Sequence, residues 1–519
     1  MILLTHHVAF WTALIGLIIL YRTATPGAAR LGRVAVLLGL GGMVYSFFGM
    51  ESATATEIFG MAVRDFLLLA AAGGLQLLVS LKKMPFWLSL LLTVIAVGLS
   101  SMINKPAAAW TAPAVPTDKF AGLDVPGRLD PAAELLVERR AGVSEADFEQ
   151  ELMDLGLTAE RAFFPSRADD TDLDNYYLVD LPAGDQDALT EQLRAAPAVE
   201  WLEGNEEVHE IPLLAPTTDV APARPGNSFV NDPSVTEQWA YDLLGLNEYH
   251  ALLAELRPVR PARIVILDTG VDAKHEDLTA NYVSIQTKYD DDPRGHGTHC
   301  AGIAAAVTNN GRGIAGMGGP GNFTQISSIK VLTAGGIGTQ ATIIRGMLEA
   351  VDSGADVLSM SLGGFSSQST QRAYNQAVKY ARDNGAVVVA AAGNSNMDAG
   401  GYSPVNAGGV IGVAAIDNLS LRAPFSNRME RIPLSLCAPG VDIYSTLPGN
   451  RYFAYSGTSM ACPLVAGLVG VLKSLDPSLD TPQIYEILST TGRELQDGDT
   501  VGPLVQPAAA VRRVAAMVE

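Results

Sequence analysis

The stretch Arg294–Gly302, RGHGTHCAG, places His296, His299 and Cys300 within five residues. All three residue types bind metals, a histidine also serves as a general base, and a cysteine beside a histidine is a nucleophile. A metal site needs three or four ligands. No third His or Cys motif completes such a set, and the nearest histidine in another motif, His275, lies in the turn-like KHEDL. A thiol nucleophile needs an accessible cysteine of low pKa. Cys300 instead opens the apolar run CAGIAAAV and reads as a small buried hydrophobe, as does Cys462. His299 is expected to pack or cap within the helix. That leaves one base, His296, at the start of a helix.

A base needs something to deprotonate and something to orient it. Asp268 ends the apolar run of ILDTGVD, where an acid either caps a turn into Gly270 or holds a histidine. Ser459 follows a Gly-Thr turn and precedes an apolar helix in FAYSGTSMACPLVAGLVGVL. A serine there is commonly an N-cap. It also sits among free N–H groups at the positive end of the helix dipole, a favourable place for a nucleophile whose intermediate carries an oxyanion.

The elements that must position these residues alternate along the chain. Strand candidates are 262–268, 326–332, 356–362, 386–394 and 410–417, near-continuous Val- and Ile-rich runs suited to burial on both faces. Helical stretches at 341–354 and 370–385 lie between them. The pattern predicts a parallel α/β sheet covered on both sides, with its site at the carboxyl ends of the strands.

DTGVD, GHGTHCAG and GTSMACP, in the chain order Asp, His, Ser, resemble the three active-site motifs of the subtilisin-like serine proteases, the subtilase family. The resemblance runs through nearly all of 230–515, including MSLGG and VVVAAAGN. It implies a subtilisin-like three-layer α/β catalytic domain, with Asp268 orienting His296, His296 as base and later acid, and Ser459 as nucleophile. It implies Asn394 as the side-chain oxyanion donor. Ser361, Leu362, Gly363 and Gly364 would pair with an extended peptide or protein substrate and form one wall of the S1 pocket. Ala391, Ala392 and Gly393 would form the opposite wall, and Gly336, Ile337 and Gly338 the second pairing edge. Glycines at the pocket leave room for a large apolar P1 side chain. Calcium is the implied structural cofactor, with Asp277, Asn309 or Asn310, and Gln238 as ligands; oxygen donors suit Ca²⁺, and the same Asn and Gly also serve as turn formers.

The chain departs from the family pattern at Leu464, where many members have His, and at Arg294, where a smaller polar residue is common. Arg294 is expected to alter the leaving-group side. The run Asp290–Asp292 just before it reads as a solvated loop or as a preference for basic groups in the substrate.

Upstream, residues 132–212 alternate strand and helix: 134–140, 144–156, 175–182 and 185–197, then one extended piece at 198–211, with a further strand in ERAFFPSR. This is an α+β, ferredoxin-like pattern. In the light of the resemblance it is an inhibitor-type propeptide, an intramolecular partner cut from the protease somewhere between His209 and Asn231; the alternative is a permanent accessory domain. Ala/Pro-rich linkers at 105–131 and 213–228 flank it, and the catalytic domain is placed at 229–515.

Residues 1–104 hold four apolar runs, about 2–21, 34–50, 66–81 and 86–103, that read as transmembrane helices in a lipid bilayer. Arg22, Arg30, Arg33, Lys82 and Lys83 fall in two of the short loops. The positive-inside rule then puts both termini, and the soluble region, on the periplasmic or extracellular side of the cell membrane. The first hundred residues carry six basic and three acidic groups of the total 35 and 55, leaving a net −23 on the rest. So acidic a soluble part repels phosphate backbones, and nucleic acid is not an expected partner. The expected whole is a membrane-anchored endopeptidase made as an autoprocessed zymogen. The competing class is a membrane sensor whose protease fold binds without turnover.

Overall fold

The computed structural model describes residues 129–182, 186–210, 229–366, 371–496 and 498–518. The four apolar runs, the first linker up to residue 128 and the second linker lie outside them. Among the described residues one helix, Thr458–Leu475, is long and apolar enough to cross a membrane, and it is entirely enclosed in the protein core.

The first unit is a βαββαβ arrangement: β1 (Leu135–Arg139), α1 (Glu145–Asp154), β2 (Ala159–Arg161), β3 (Tyr176–Val179), α2 (Gln186–Ala195) and β4 (Val199–Gly204). Its antiparallel sheet runs in the order β2-β3-β1-β4, the ferredoxin-like order. Ser144 starts α1 by accepting the Asp147 N–H. One sheet face packs Leu135, Val137, Tyr177 and Val179 on Phe148, Leu152 and Leu193 of the two helices. The opposite face, with Leu136 and Tyr176, joins the main core of the larger unit.

The larger unit is built on a six-stranded sheet in the order β14-β13-β11-β9-β6-β7. These strands are β6 (Ala262–Asp268), β7 (Thr324–Lys330), β9 (Val357–Met360), β11 (Val387–Ala391), β13 (Ile411–Ile416) and β14 (Ser435–Pro439). Every pairing is parallel. The strands β9, β11 and β13 are buried at every residue, which is why they read as unbroken apolar runs. Packed around them are α3 (His296–Ala305), α4 (Gln340–Asp352), α5 (Arg372–Asp383) and α6 (Thr458–Leu475).

Two stretches that read as single strands divide. At 356–362 the parallel strand stops at Met360, and Leu362–Phe365 forms a separate strand, β10. At 198–211 the extended piece breaks after Gly204, and Glu207–Glu210 forms β5, which leaves its own sheet. It enters a second one, ordered β12-β10-β5-β8, with β8 at Ile337–Thr339 and β12 at Tyr402–Ser403. The break falls where the chain caps two helices of its neighbour. Glu203 accepts the free N–H groups of Arg372 (2.9 Å) and Ala373 (3.1 Å) at the start of α5. The Asn205 side chain accepts Ala341 N–H (3.0 Å) and the Glu206 carbonyl accepts Gln340 N–H (2.8 Å) at the start of α4. Helix N-termini leave such donors unpaired and carry positive partial charge, so an acid from outside is a fitting cap.

Glu203 also accepts from Gln340 Nε2 (2.7 Å) and Trp201 Nε1 (3.0 Å), and it is buried. Glu203→Ala strands several buried donors, at a cost of about 2–4 kcal/mol. In a Ser459→Ala background, thermal unfolding followed by circular dichroism should begin several degrees lower than in the parent, with Glu203→Gln falling between.

Candidate active site

Three neighbouring strands of the parallel sheet, β6, β9 and β11, end at Asp268, at Ser361 just after Met360, and at Asn394 three residues past Ala391. Asp268 is the last residue of β6 and is fully buried. His296 is the first residue of α3. The start of that helix is pinned by Asp292, whose Oδ1 accepts the N–H of Arg294 (3.1 Å) and Gly295 (2.8 Å). Its Oδ2 accepts the Thr298 N–H (2.8 Å) and hydroxyl (2.7 Å).

His296 Nδ1 lies 2.8 and 2.9 Å from the two Asp268 carboxylate oxygens. With Nδ1 donating to the acid, Nε2 presents its lone pair; it is buried and has no hydrogen-bond partner among the described residues. Burial alone lowers the pKa of His296. The Asp268 carboxylate, helped by Glu210 and Asp292, outweighs burial and holds it above its ordinary 6.5.

Ser459 is the second residue of α6. Its Oγ donates to the Ser361 carbonyl at 3.3 Å, so the hydroxyl rests against the strand corner in this conformation. Its own carbonyl would normally accept from the residue four positions on, but that residue is Pro463 and has no N–H. Ser361 Oγ (2.9 Å) and Cys300 Sγ (3.4 Å) donate to it instead. Asn394 is oriented by Thr458, whose N–H (2.9 Å) and hydroxyl (3.0 Å) both donate to its Oδ1. That turns its Nδ2 towards Gly457, where an added Cβ would lie 2.9 Å away. An amide donor and the N–H groups of a helix N-terminus beside a hydroxyl form an arrangement suited to a developing oxyanion.

The other members of the opening motif have structural places. His299 Nε2 donates to the Phe453 carbonyl (3.0 Å), and its ring lies against Tyr455. Burial pushes its pKa down to about 3, so it is neutral. Burial raises the Cys300 thiol well above its usual range and Cys462 up to about 12; neither is a thiolate. Asp268, His296 and Cys300 cluster closely enough for a metal, yet the acid already holds the histidine and the thiol keeps its proton.

The substrate-edge residues form a slot between two strands. Leu362, Gly363 and Gly364 lie in β10, following Ser361; Ile337 and Gly338 lie in β8, following Gly336. The slot is filled by β5, antiparallel to both, with Glu210 opposite Leu362, His209 opposite Gly363, and Val208 opposite Gly338. Ala391 ends β11, and Ala392 and Gly393 continue it, held by the Asn427 amide on the Ala392 carbonyl (2.8 Å).

Arg294 and the acidic run before it both have partners within the protein. Arg294 pairs with Glu210 of β5. Asp290 accepts from Tyr282 and Ser284, Asp291 pairs with Lys330, and Asp292 is the helix clamp described above.

At the calcium candidates, Asp277 Oδ1 faces Asn310 Nδ2 (2.8 Å) and Oδ2 accepts Ile314 N–H (2.9 Å). Gln238 is held at both ends of its amide by the Ala315 backbone, Nε2 donating to the carbonyl (3.0 Å) and Oε1 accepting the N–H (2.9 Å). Asn309 Oδ1 accepts the Asn231 N–H. The sequence reading missed Asp232, whose carboxylate accepts the N–H groups of Asn309 and Asn310 (2.7 and 3.0 Å). The acidic NDP turn just ahead of the domain was the available signal. Asp232 and Asp277 are both buried, and burial raises the pKa of each, that of Asp277 to about 6 with a further contribution from Asp232; neither has a Lys or Arg partner among the described residues. A buried oxygen-rich pair without a counter-cation fits a hard divalent ion.

The subtilase family model (peptidase S8) matches residues 262–503. Subtilisin DY of Bacillus licheniformis is 41% identical over 243 residues, covering 45% of this chain and 85% of that protein. Thermitase of Thermoactinomyces vulgaris is 44% identical over 218 residues, 41% of this chain and 75% of thermitase. A thermophilic serine proteinase of Bacillus sp. (strain AK1) is 44% identical over 216 residues, 41% of this chain and 52% of that protein. The chain belongs to the subtilase family. As a subtilase it is a serine endopeptidase, and its Asp268, His296 and Ser459 lie in the family's order.

The His296 shift has a kinetic consequence. The base works only when neutral, so the rate rises with pH through the His296 pKa, and a raised pKa moves that limb to the alkaline side. The acidic limb of the rate at which a fluorophosphonate labels Ser459 should therefore have its midpoint above about 6.5, the ordinary histidine value. A midpoint below it would contradict the Asp268 pairing.

Proposed function

We propose that this subtilase is a membrane-anchored, secretory-side endopeptidase made as a self-inhibited precursor. The observation that carries the reading is β5, hydrogen-bonded between β8 and β10 in the slot where an extended substrate would lie. Pairing with two edges is β-augmentation, which grips backbone with little demand on side chains. The unit ending in β5 then acts as an inhibitor-type propeptide, and self-cleavage falls in the segment after it. The four apolar runs anchor the chain in the cell membrane, and the loop charges put the protease outside the cytoplasm. Specificity is broad, with an apolar P1 preference.

In this reading Ser459 attacks the scissile carbonyl while His296 Nε2 takes its proton and later returns it to the leaving amine. Asp268 holds the imidazolium, and Asn394 Nδ2 with the N–H of Ser459 receives the oxyanion. Full-length protein should shorten during expression, and Ser459→Ala should stay at full length and leave casein intact. Equal shortening of both proteins counts against self-processing.

Calcium would be held by Asp277, Asp232 and Asn310, and would neutralise the buried acids that tie the 307–314 loop to the start of the domain. Added calcium should raise the melting temperature of the Ser459→Ala protein and a chelator should lower it. In Asp277→Asn the melting temperature should no longer respond.

A further inference from the structure

Glu210 is more than a pairing residue of the inserted strand. Its carboxylate meets Arg294 side-on: Nε lies 3.0 Å from both oxygens, and the terminal nitrogen 2.7 Å from Oε1. The acid side chain is only 8% exposed, while that of Arg294 is 46% exposed. The floor beneath the acid is Gly336, in the left-handed region at φ 76°, where a Cβ would come within 2.9 Å of the Glu210 carboxyl carbon. His296 and Tyr455 complete the lining of this cleft. One charged fork, one missing side chain and a nearly dry carboxylate make a formed subsite.

The register says which substrate residue uses it. Glu210 opposes Leu362, and its N–H donates to the Gly336 carbonyl at 2.7 Å. In the antiparallel pairing the next substrate residue faces Ser361, whose carbonyl holds the Ser459 hydroxyl. A peptide in this register therefore offers that next residue's carbonyl to the nucleophile. The residue before it, P2, occupies the Arg294 pocket.

We propose that Arg294 makes this endopeptidase select substrates with an acidic side chain, glutamate before aspartate, at P2. The inference rests on the endopeptidase reading of the slot. A guanidinium matches a carboxylate in a planar, two-point fashion that an amide or an ammonium cannot reproduce. A lysine at P2 meets like charge beside the catalytic histidine.

The test uses the expressed full-length chain in detergent micelles, after self-processing and loss of the unit that ends in β5, checked by gel and mass spectrometry. Its substrates are three internally quenched peptides, identical except for Glu, Gln or Lys before a P1 phenylalanine. Rates are normalised to Ser459 labelled by a fluorophosphonate. The expected kcat/KM is about tenfold higher for Glu than for Gln, with Lys lowest, and the gap narrows with added NaCl. Arg294→Asn should level the three, and Arg294→Glu should favour Lys, both with labelling retained. Equal kcat/KM on all three in the parent, or a Glu preference that survives Arg294→Asn, overturns the proposal. If no peptide is cut and Ser459 does not label, the endopeptidase reading falls and this inference falls with it.

Discussion

The active site hangs on a carbonyl that its own helix cannot use. Pro463 has no N–H, so the Ser459 carbonyl lacks the usual partner one turn on. Left unpaired in a fully buried place it would cost about 1–3 kcal/mol. The two donors that replace the missing one come from different elements, Ser361 at the strand corner and Cys300 on the histidine helix. One missing backbone donor thus ties together the nucleophile, the substrate edge and the base. Each of those elements is itself anchored: α3 by Asp292, and the corner by β9 within the parallel sheet.

The same tie explains why two apparently reactive side chains are inert. Cys300 is committed as a donor to the Ser459 carbonyl, and burial keeps it protonated. His299, one turn along α3 from His296, is held on the Phe453 carbonyl and against Tyr455. Only His296 combines a carboxylate on one nitrogen with an unengaged second nitrogen. Position relative to three strand ends, rather than residue type, separates the catalytic group from its neighbours.

Much of this was legible in the sequence because it is local. The strand ending at Asp268 was readable to the residue, since a parallel strand buried on both faces is an unbroken apolar run bounded by a polar residue. The edge strand Ser435–Pro439 was not, because SLCAP is too short and too mixed to stand out. The breaks at Ser361 and after Gly204 were invisible for another reason. Both depend on what the chain meets in space, one at the sheet end and the other at two helix N-termini. The pairing of Arg294 with Glu210 spans 84 positions and carries no periodic signal, so the motif alone could not show it. The hold of Ala315 on the Gln238 amide was invisible for a similar reason, since the two lie 77 residues apart.

The two ends of the inserted segment divide the labour of holding it. Backbone pairing of β5 with β8 and β10 is the part a substrate can imitate, and alone it gives affinity of a general kind. Glu203 and Asn205, a few residues earlier, dock on α5 and α4 with buried caps that no short peptide carries. Because those caps and β5 belong to one chain, seating the first raises the effective concentration of the second at the slot. A peptide in solution then competes against a tethered strand, at a disadvantage set by the tether rather than by the slot. If the unit is the inhibitor proposed above, a cut after β5 would leave the caps and the pairing intact and would not by itself empty the slot. On that proposal, loss of the capping unit, by unfolding or further proteolysis, is what would return the slot to substrates.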